Sequence, residues 1–438
     1  MIGLLVAIAL AISIGVGYAT KINTGLIAFC FAYIIGVFFM KMEPAEVVAL
    51  WPIKVFFDIF SVTLLFAVAL DNGTLEKIAQ KMLHGSRKLA WAMVFVFFFT
   101  AVIVAALGAG FFAVMAFLAP AALLICRELK IEPLIGGLAV MVGAQAGSNF
   151  MSSLNGIVFD GLFRELKYSE SDSFLFRTAI FIAYLVFTFL VLLGFTLYYR
   201  HKAKKAGTTA GIADVAQVEP FTGKQKGTLY VMGVFLLFAL VPSIMHVLFP
   251  AVGWITSFSS SIFAPMIAVI IAVIALAFKL ADNKAVISRV PWNILIMLSG
   301  VGMLVSVATQ AGTFKAIASW LGSDAVPTIL VPVLLAIVAA IINCFGSFIG
   351  VTAPALYPIV PLLAHLTGLS PILLFLSMTV GGLAMVSSPY SEGGGMLLGL
   401  MPDEKERDVM FKKQLTVTLP IMGLGALVFS LILTLIFH

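Results

Sequence analysis

Apolar runs of helix length alternate with short polar turns along almost the whole chain, the pattern of a backbone that closes its hydrogen bonds inside helices within lipid. Runs at roughly 2–18, 23–40, 51–70 and 89–106 are long enough, or nearly so, to cross about 30 Å of hydrocarbon. After the third run, Asp71-Asn72-Gly73-Thr74 leads into Leu75, Ile78, Ala79 and Met82, a spacing that predicts a short amphipathic helix at the interface. From Leu107 to Cys126 the run is broken by Gly108, Gly110 and Pro120, which predicts a re-entrant hairpin near 107–127. The next helix, near 133–163, is interrupted by the polar stretch Gly143–Gly156, and a span at about 174–199 ends the first half, residues 1–199.

A polar segment at 200–227 follows, and then the order repeats through 228–438. Apolar runs near 228–248, 258–280 and 292–310 precede an interfacial stretch at 311–318 and a span at 326–344. A hairpin is expected near 345–365, a second broken helix near 371–400, with polar residues over Gly381–Gly395, and a last span at 414–437. Gly108 and Gly346, Pro120 and Pro358, Pro133 and Pro371, and Gly143 and Gly381 each stand 238 positions apart. A shift of one more residue aligns Ser148, Asn149 and Ser152 with Ser387, Ser388 and Ser391. Their common order points to an internal duplication with paired discontinuous helices, the sequence signature of a secondary transporter. The fold class is an all-α polytopic membrane protein with about 11–12 spanning helices.

Composition agrees: 62% of the 438 residues are hydrophobic and 11% charged, and the mean hydropathy is +1.15. The net charge of +6 is scattered over short loops, so it reads as membrane orientation rather than nucleic-acid binding. Lysine and arginine excess over 200–227 places that linker in the cytoplasm of a multi-pass inner-membrane protein. Cys30, Cys126 and Cys344 lack metal-ligand spacing and are read as buried small hydrophobes. The N-terminal run lacks a basic n-region and continues into a second span, so it is expected to be retained.

A broken helix presents free N–H groups on one side of its gap and free carbonyls on the other. The first break adds Ser148, Asn149, Ser152, Ser153 and Asn155, and the second adds Ser387, Ser388, Ser391 and Glu392. Hydroxyl and amide oxygens suit Na⁺, while their donors and the helix N-termini suit a carboxylate. The expected Na⁺ ligands are Ser148, Asn149, Asn155, Ser387 and Glu392. The expected substrate contacts are Ser148, Asn149, Ser152, Ser388 and Ser391, joined by Gly108, Ala109 and Gly110 from the first hairpin tip and Gly346, Ser347 and Thr352 from the second. Glu392, an ionisable group at membrane depth, is read as a cation ligand or a proton carrier. Asp58, Asp160 and His365 are read as interfacial, and no Arg or Lys lies in either break, which leaves an anion to dipoles, amides, hydroxyls and bound cations. The chain carries no His-Glu-x-x-His, no metal-binding acidic pair and no serine elbow, so it is not read as an enzyme.

Asn72-Gly73-Thr74, Leu118-Ala119-Pro120, Gly143-Ala144-Gln145-Ala146-Gly147, Ser388-Pro389-Tyr390-Ser391 and Pro402-Asp403 together resemble the MatC-type dicarboxylate (malonate) carriers of the ion transporter superfamily, which also holds the divalent anion:sodium symporters. The resemblance is nearly full length. It implies two inverted repeats, elevator-type alternating access and cation-coupled transport of C3–C4 dicarboxylates such as malonate, malate or succinate. Na⁺ is the expected coupling ion, with H⁺ the alternative, and a homodimer in the bilayer is the expected assembly. There are departures: no Ser-Asn-Thr signature in either hairpin tip, Gly147-Ser148-Asn149-Phe150 in place of a Gly-Gly-Phe-Ser-Pro pattern, and Glu392 where a small hydroxylated residue belongs. A cation/proton antiporter or inorganic-anion exporter of the same superfamily is the alternative reading.

Overall fold

The computed structural model describes residues 2–85, 91–205, 219–248, 252–254, 263–323, 325–344, 347–401 and 404–437, and every regular element among them is helical. Among the described residues, six helical runs are apolar and long enough to cross a membrane: Met93–Glu128, Glu170–Lys205, Asn283–Gln310, Phe348–Thr367, Pro371–Gly399 and Lys405–Phe437. Shorter apolar helices, among them Thr24–Phe39 and Pro133–Ser148, stand beside them. Of the sequence features, Gly346, Pro402-Asp403, the start of the 258–280 run and the middle of the 200–227 segment lie outside the described residues. The ends of that segment are helical, because Glu170–Lys205 runs into it and Gly223–Leu248 begins within it.

Met93–Glu128 is not a rod, because Gly108 at φ 98° and Gly110 at φ 70° occupy backbone that residues with a Cβ avoid. Both of its arms pack along Pro133–Ser148. Near the end of that helix, Gly143 and Gly147 lie against the carbonyls of Phe98 and Val102, at the end of the first arm. Near its start, Gly136 meets Ala122 and Cys126, at the end of the second arm. The first arm, Met93–Val104, therefore runs with the broken helix, the second, Gly110–Glu128, runs against it, and the tip at Ala105–Ala109 sits beside the break. The glycines expected inside the hairpin are its tip, and the run at 89–106, expected as a separate crossing, supplies its first arm. In the second half, Val331–Asn343 packs along Pro371–Ala384 in the same manner. Gly381 lies against the Ala336 carbonyl, and both stand 238 positions after Gly143 and Phe98.

The duplication extends to backbone conformation. Lys41 and Lys279 (φ 61° and 53°), Gly73 and Gly312 (70° and 72°), and Lys130 and Gly368 (54° and 72°) are all left-handed and stand 238 or 239 positions apart. Each marks the same turn in its half. The second pair precedes the amphipathic helices Thr74–Gly85 and Thr313–Leu321, where the sequence places the interfacial elements.

Two bodies result. One is a scaffold in which Thr24–Ile34 packs on Trp292–Gln310 and Ile53–Asp71 packs on Ala264–Ala277. A Cβ on Gly300 would stand only 1.9 Å from the Gly25 carbonyl oxygen, so the first of these pairs is a backbone-to-backbone contact. The other body holds both hairpins and both broken helices, joined by an aromatic cluster in which Phe375 lies 4.7 Å from Phe163 and 4.8 Å from Tyr357 between ring centroids. Of the cysteines, Cys126 is buried and Cys344 half-buried, but Cys30 is exposed. Its apolar surroundings in the sequence are the outer face of a helix rather than the core.

Candidate substrate and cation site

The two breaks meet. A pocket of about 30 Å³ is walled by Asn155 from the first break, Ser391 and Glu392 from the second, Phe111 and Phe112 beyond the first hairpin tip, and Asn343 and Ser347 flanking the second. That volume holds about two waters, or a small cation with a water beside it. It adjoins a cavity of about 720 Å³ between the two bodies, large enough for a small organic molecule, and Glu392 lines both. Glu392 is exposed, but the surface it faces is the wall of this cavity deep within the protein. Gly108, Ala109 and Gly110 line the larger cavity, with Asn23, Thr63, Arg289 and Asn293 from the scaffold side and Glu76 from the amphipathic helix Thr74–Gly85.

The breaks are not equivalent. Ser153 stands at the N-cap of Leu154–Glu165, yet its hydroxyl donates to the Ala105 carbonyl at 2.7 Å and leaves the helix without a side-chain cap. Uncapped N–H groups at a helix start attract anions. Ser391 does cap its helix, Glu392–Gly399, by accepting from the Gly394 N–H at 3.4 Å, and Glu392 puts a carboxylate at the positive end of that helix. The first break thus presents an uncapped, positive helix end, while the second carries a carboxylate at its helix start.

Eleven buried side-chain polar atoms among the described residues have no hydrogen-bond partner, and six belong to this region: Ser148 Oγ, Asn149 Nδ2, Ser152 Oγ, Asn343 Oδ1, Thr352 Oγ1 and Ser387 Oγ. Each such atom left without a partner would cost about 1–3 kcal/mol, so each calls for a water, an ion or a ligand atom beside it. Five of the six are oxygens, the donor type that Na⁺ takes. Asn149 Oδ1 accepts from Asn155 Nδ2 at 2.8 Å, which links the two sides of the first break. Ser388 donates to the Cys344 carbonyl at 3.0 Å and Ser391 donates to the Val386 and Ser388 carbonyls, so these two hydroxyls hold the second break to its hairpin and close its turn.

The structure thus brings Gly108, Ala109, Gly110, Asn155, Ser347, Ser391 and Glu392 to cavity walls. Ser148, Asn149, Ser152, Thr352, Ser387 and Ser388 are fully or nearly fully buried and lie outside both linings. Two expectations change. Arg177, from Glu170–Lys205, donates to the Met151 carbonyl of the first break at 3.4 Å and pairs with Asp160 at 3.2 Å, so a cation does stand at that break, brought by a helix distant in sequence. Asp160 also pairs with Arg164 and accepts from Ser173, an ion network inside the hairpin-and-broken-helix body rather than an interfacial carboxylate. His365 is exposed at the hairpin end, and the Asp58 side chain is not among those described.

Gln145, Asn343, Glu76, Arg289 and Asn293 line the cavities and were not expected there. A lone amide ending an apolar run was the available signal for Asn343. Burial pushes the Glu76 carboxyl above its usual range, against its own backbone hydrogen bond and the charge of Arg289.

An all-helical membrane body with hairpin tips and broken helices converging on one internal cavity defines a secondary transporter. Residues 173–400 match the sodium:sulfate symporter transmembrane region, and residues 1–148 match the dicarboxylate carrier protein MatC N-terminus. The chain belongs to the sodium:sulfate symporter family, among the divalent anion:sodium symporters, with an N-terminal region of the MatC dicarboxylate-carrier type. The families are transporters, and the protein is not an enzyme. Among solved structures it is similar to the YdaH transporter of Alcanivorax borkumensis, at 18% identity and a TM-score of 0.55, covering 88% of this chain and 86% of that one. It is also similar to MtrF of Neisseria gonorrhoeae, which illuminates a class of antimetabolite efflux pumps, at 13% identity and a TM-score of 0.57, covering 87% and 82%. Both likenesses carry the fold alone. No curated protein matches the chain.

Proposed function

We propose that the protein is a Na⁺-coupled carrier of small organic dianions, C3–C4 dicarboxylates, which moves its hairpin-and-broken-helix body past the scaffold. The observation that carries this reading is the meeting of both breaks at one polar pocket, with an uncapped helix start on one side and Glu392 on the other. Na⁺ binds among the orphaned oxygens of the breaks and Glu392, and its charge offsets that of the incoming dianion. Inverted repeats fit the packing. Thr24–Ile34, continued by Ile35–Phe39, and Ile53–Asp71 are successive spans with the short helix Pro44–Ala49 between them, and Trp292–Gln310, the counterpart of the second, starts beside the first, where Asn23 Nδ2 donates to the Asn293 carbonyl at 2.8 Å.

Counterflow in proteoliposomes tests the transport claim. Preloaded succinate should drive uptake of labelled succinate, saturably and only with Na⁺; flux that never saturates would mean a channel, and flux indifferent to Na⁺ would remove the coupling.

This reading has the cavity open toward the linker, because Asn72, four positions before the cavity-lining Glu76, donates to Thr228 Oγ1 at 2.7 Å, just past the start of the helix that follows the linker. With that side cytoplasmic, the structure is an inward-facing state of an inner-membrane carrier. A cysteine placed at Glu219 should resist an impermeant thiol reagent in intact cells and react after permeabilisation; ready labelling of intact cells would reverse the orientation. The same reading has two copies assembling in the bilayer, and mass measurement in nanodiscs showing only single copies would remove that element.

A further inference from the structure

The larger cavity poses an electrostatic problem that the breaks do not solve. Its described lining carries two carboxylates, Glu76 and Glu392, and a single cationic side chain, Arg289, on the scaffold wall. A dianion that enters this space meets two like charges, and dipoles alone are a weak answer to them. Arg289 directs only its Nε at Asp71, 3.2 Å from Oδ1, and is 47% exposed. Its terminal nitrogens have no acceptor among the described hydrogen bonds. Close by, Asn23 holds the Asn293 carboxamide through its oxygen at 3.2 Å, which leaves the Asn293 amide nitrogen as a donor at the cavity wall.

We propose that Arg289, with Asn293 beside it, is the scaffold-side receptor for one carboxylate of the substrate, and that it sets the preference for dianions. The guanidinium fork matches a carboxylate in two parallel hydrogen bonds, which a lysine cannot reproduce. Asp71 competes with the substrate for the same guanidinium and keeps it oriented while the cavity holds no anion. The inference rests on the dianion-carrier reading above and adds to it a binding group outside both breaks.

Three variants test it in proteoliposomes at fixed, saturating Na⁺. Arg289→Gln should raise the succinate concentration for half-maximal uptake by about tenfold or more, since a hydrogen bond to a charged group is lost, and Arg289→Lys should fall between. Asp71→Asn should act in the opposite direction and lower that concentration by roughly two- to fivefold, because the competitor loses its charge but keeps an acceptor for the Asp282 N–H. The Na⁺ requirement at saturating succinate should stay unchanged in all three. If the pair only braces the fold, Asp71→Asn and Arg289→Gln weaken uptake alike, and that result overturns the proposal. So does an Arg289→Gln protein with wild-type affinity for succinate. Should Arg289→Gln fail to fold, Asp71→Asn alone still decides through the sign of its effect. Wild-type protein that carries no dicarboxylate fails the parent reading instead, and the inference with it.

Discussion

Glu392→Gln should raise the Na⁺ concentration needed for half-maximal uptake by roughly ten- to hundredfold at every pH tested, with little loss of folded protein. The reason lies in its position. It is the one carboxylate shared by the walls of the small pocket and the larger cavity, on the first turn of an eight-residue helix whose start faces the site. Gln keeps the length and one acceptor oxygen but removes the charge, and an interaction between a charged group and its partner is worth about 1.5–3 kcal/mol, which converts to that range. The helix dipole loses a favourable anion at the same time, worth only about 0.3–1 kcal/mol, so stability should barely move. If Glu392 carries a proton instead, uptake follows pH rather than Na⁺, and Glu392→Gln flattens the pH profile. Normal transport with both dependences intact would reduce Glu392 to a helix-start anion with no part in coupling.

Gly147→Ala should destabilise the protein at the upper end of the roughly 1–3 kcal/mol seen on overpacking, and should abolish transport even where folded protein survives. A Cβ at Gly147 would stand 2.2 Å from the Val102 carbonyl oxygen and 2.8 Å from the Ala105 Cβ, so the hairpin tip has to move away from the break. No flexible side chain is available to give way. Gly194→Ala is the control: nothing lies within 4 Å of its added Cβ, and within a long helix the change should be neutral or stabilising by up to about 1 kcal/mol. Melting temperatures of the two variants in the same detergent make the comparison. Equal melting temperatures for Gly147→Ala and the wild type would mean that the hairpin does not seat on the broken helix as described.

Much of this architecture is legible in the residues because a bilayer restricts the choices. Spacings of 238 positions between matching glycines and prolines reappear in the fold as matching packing, with Gly143 on Phe98 and Gly381 on Ala336, and as matching left-handed turns at Lys41 and Lys279. The hairpin arms were harder to divide, because an apolar run of twelve residues, Met93–Val104, has the same hydropathy whether it crosses or turns back. What decides is the backbone at Gly108 and Gly110, and hydropathy does not register it.

The site was legible where one stretch of chain supplies it, as with Asn155, Ser347, Ser391 and Glu392. It was not legible where distant segments meet. Arg177 lies 26 positions from the carbonyl that it approaches, and Arg289 sits in an ordinary polar turn whose relation to Glu76 exists only after folding. Ser388 is different, since a hydroxyl in a break looks like a ligand in sequence, whereas here it lies outside both cavity linings and donates to the Cys344 carbonyl.

The central claim is that the two halves build one site, and a double-mutant cycle on Asn155 and Ser347 addresses it directly. Both side chains wall the same 30 Å³ pocket, yet they come from different repeats. Na⁺-dependent succinate binding to purified protein should be measured for the wild type, Asn155→Ala, Ser347→Ala and the double variant. The expected result is that the double variant departs from the sum of the single effects by more than about 0.5 kcal/mol, beyond the scatter of independent positions. Strict additivity, with each single variant weakened, would mean that the halves bind separately and would contradict a shared site.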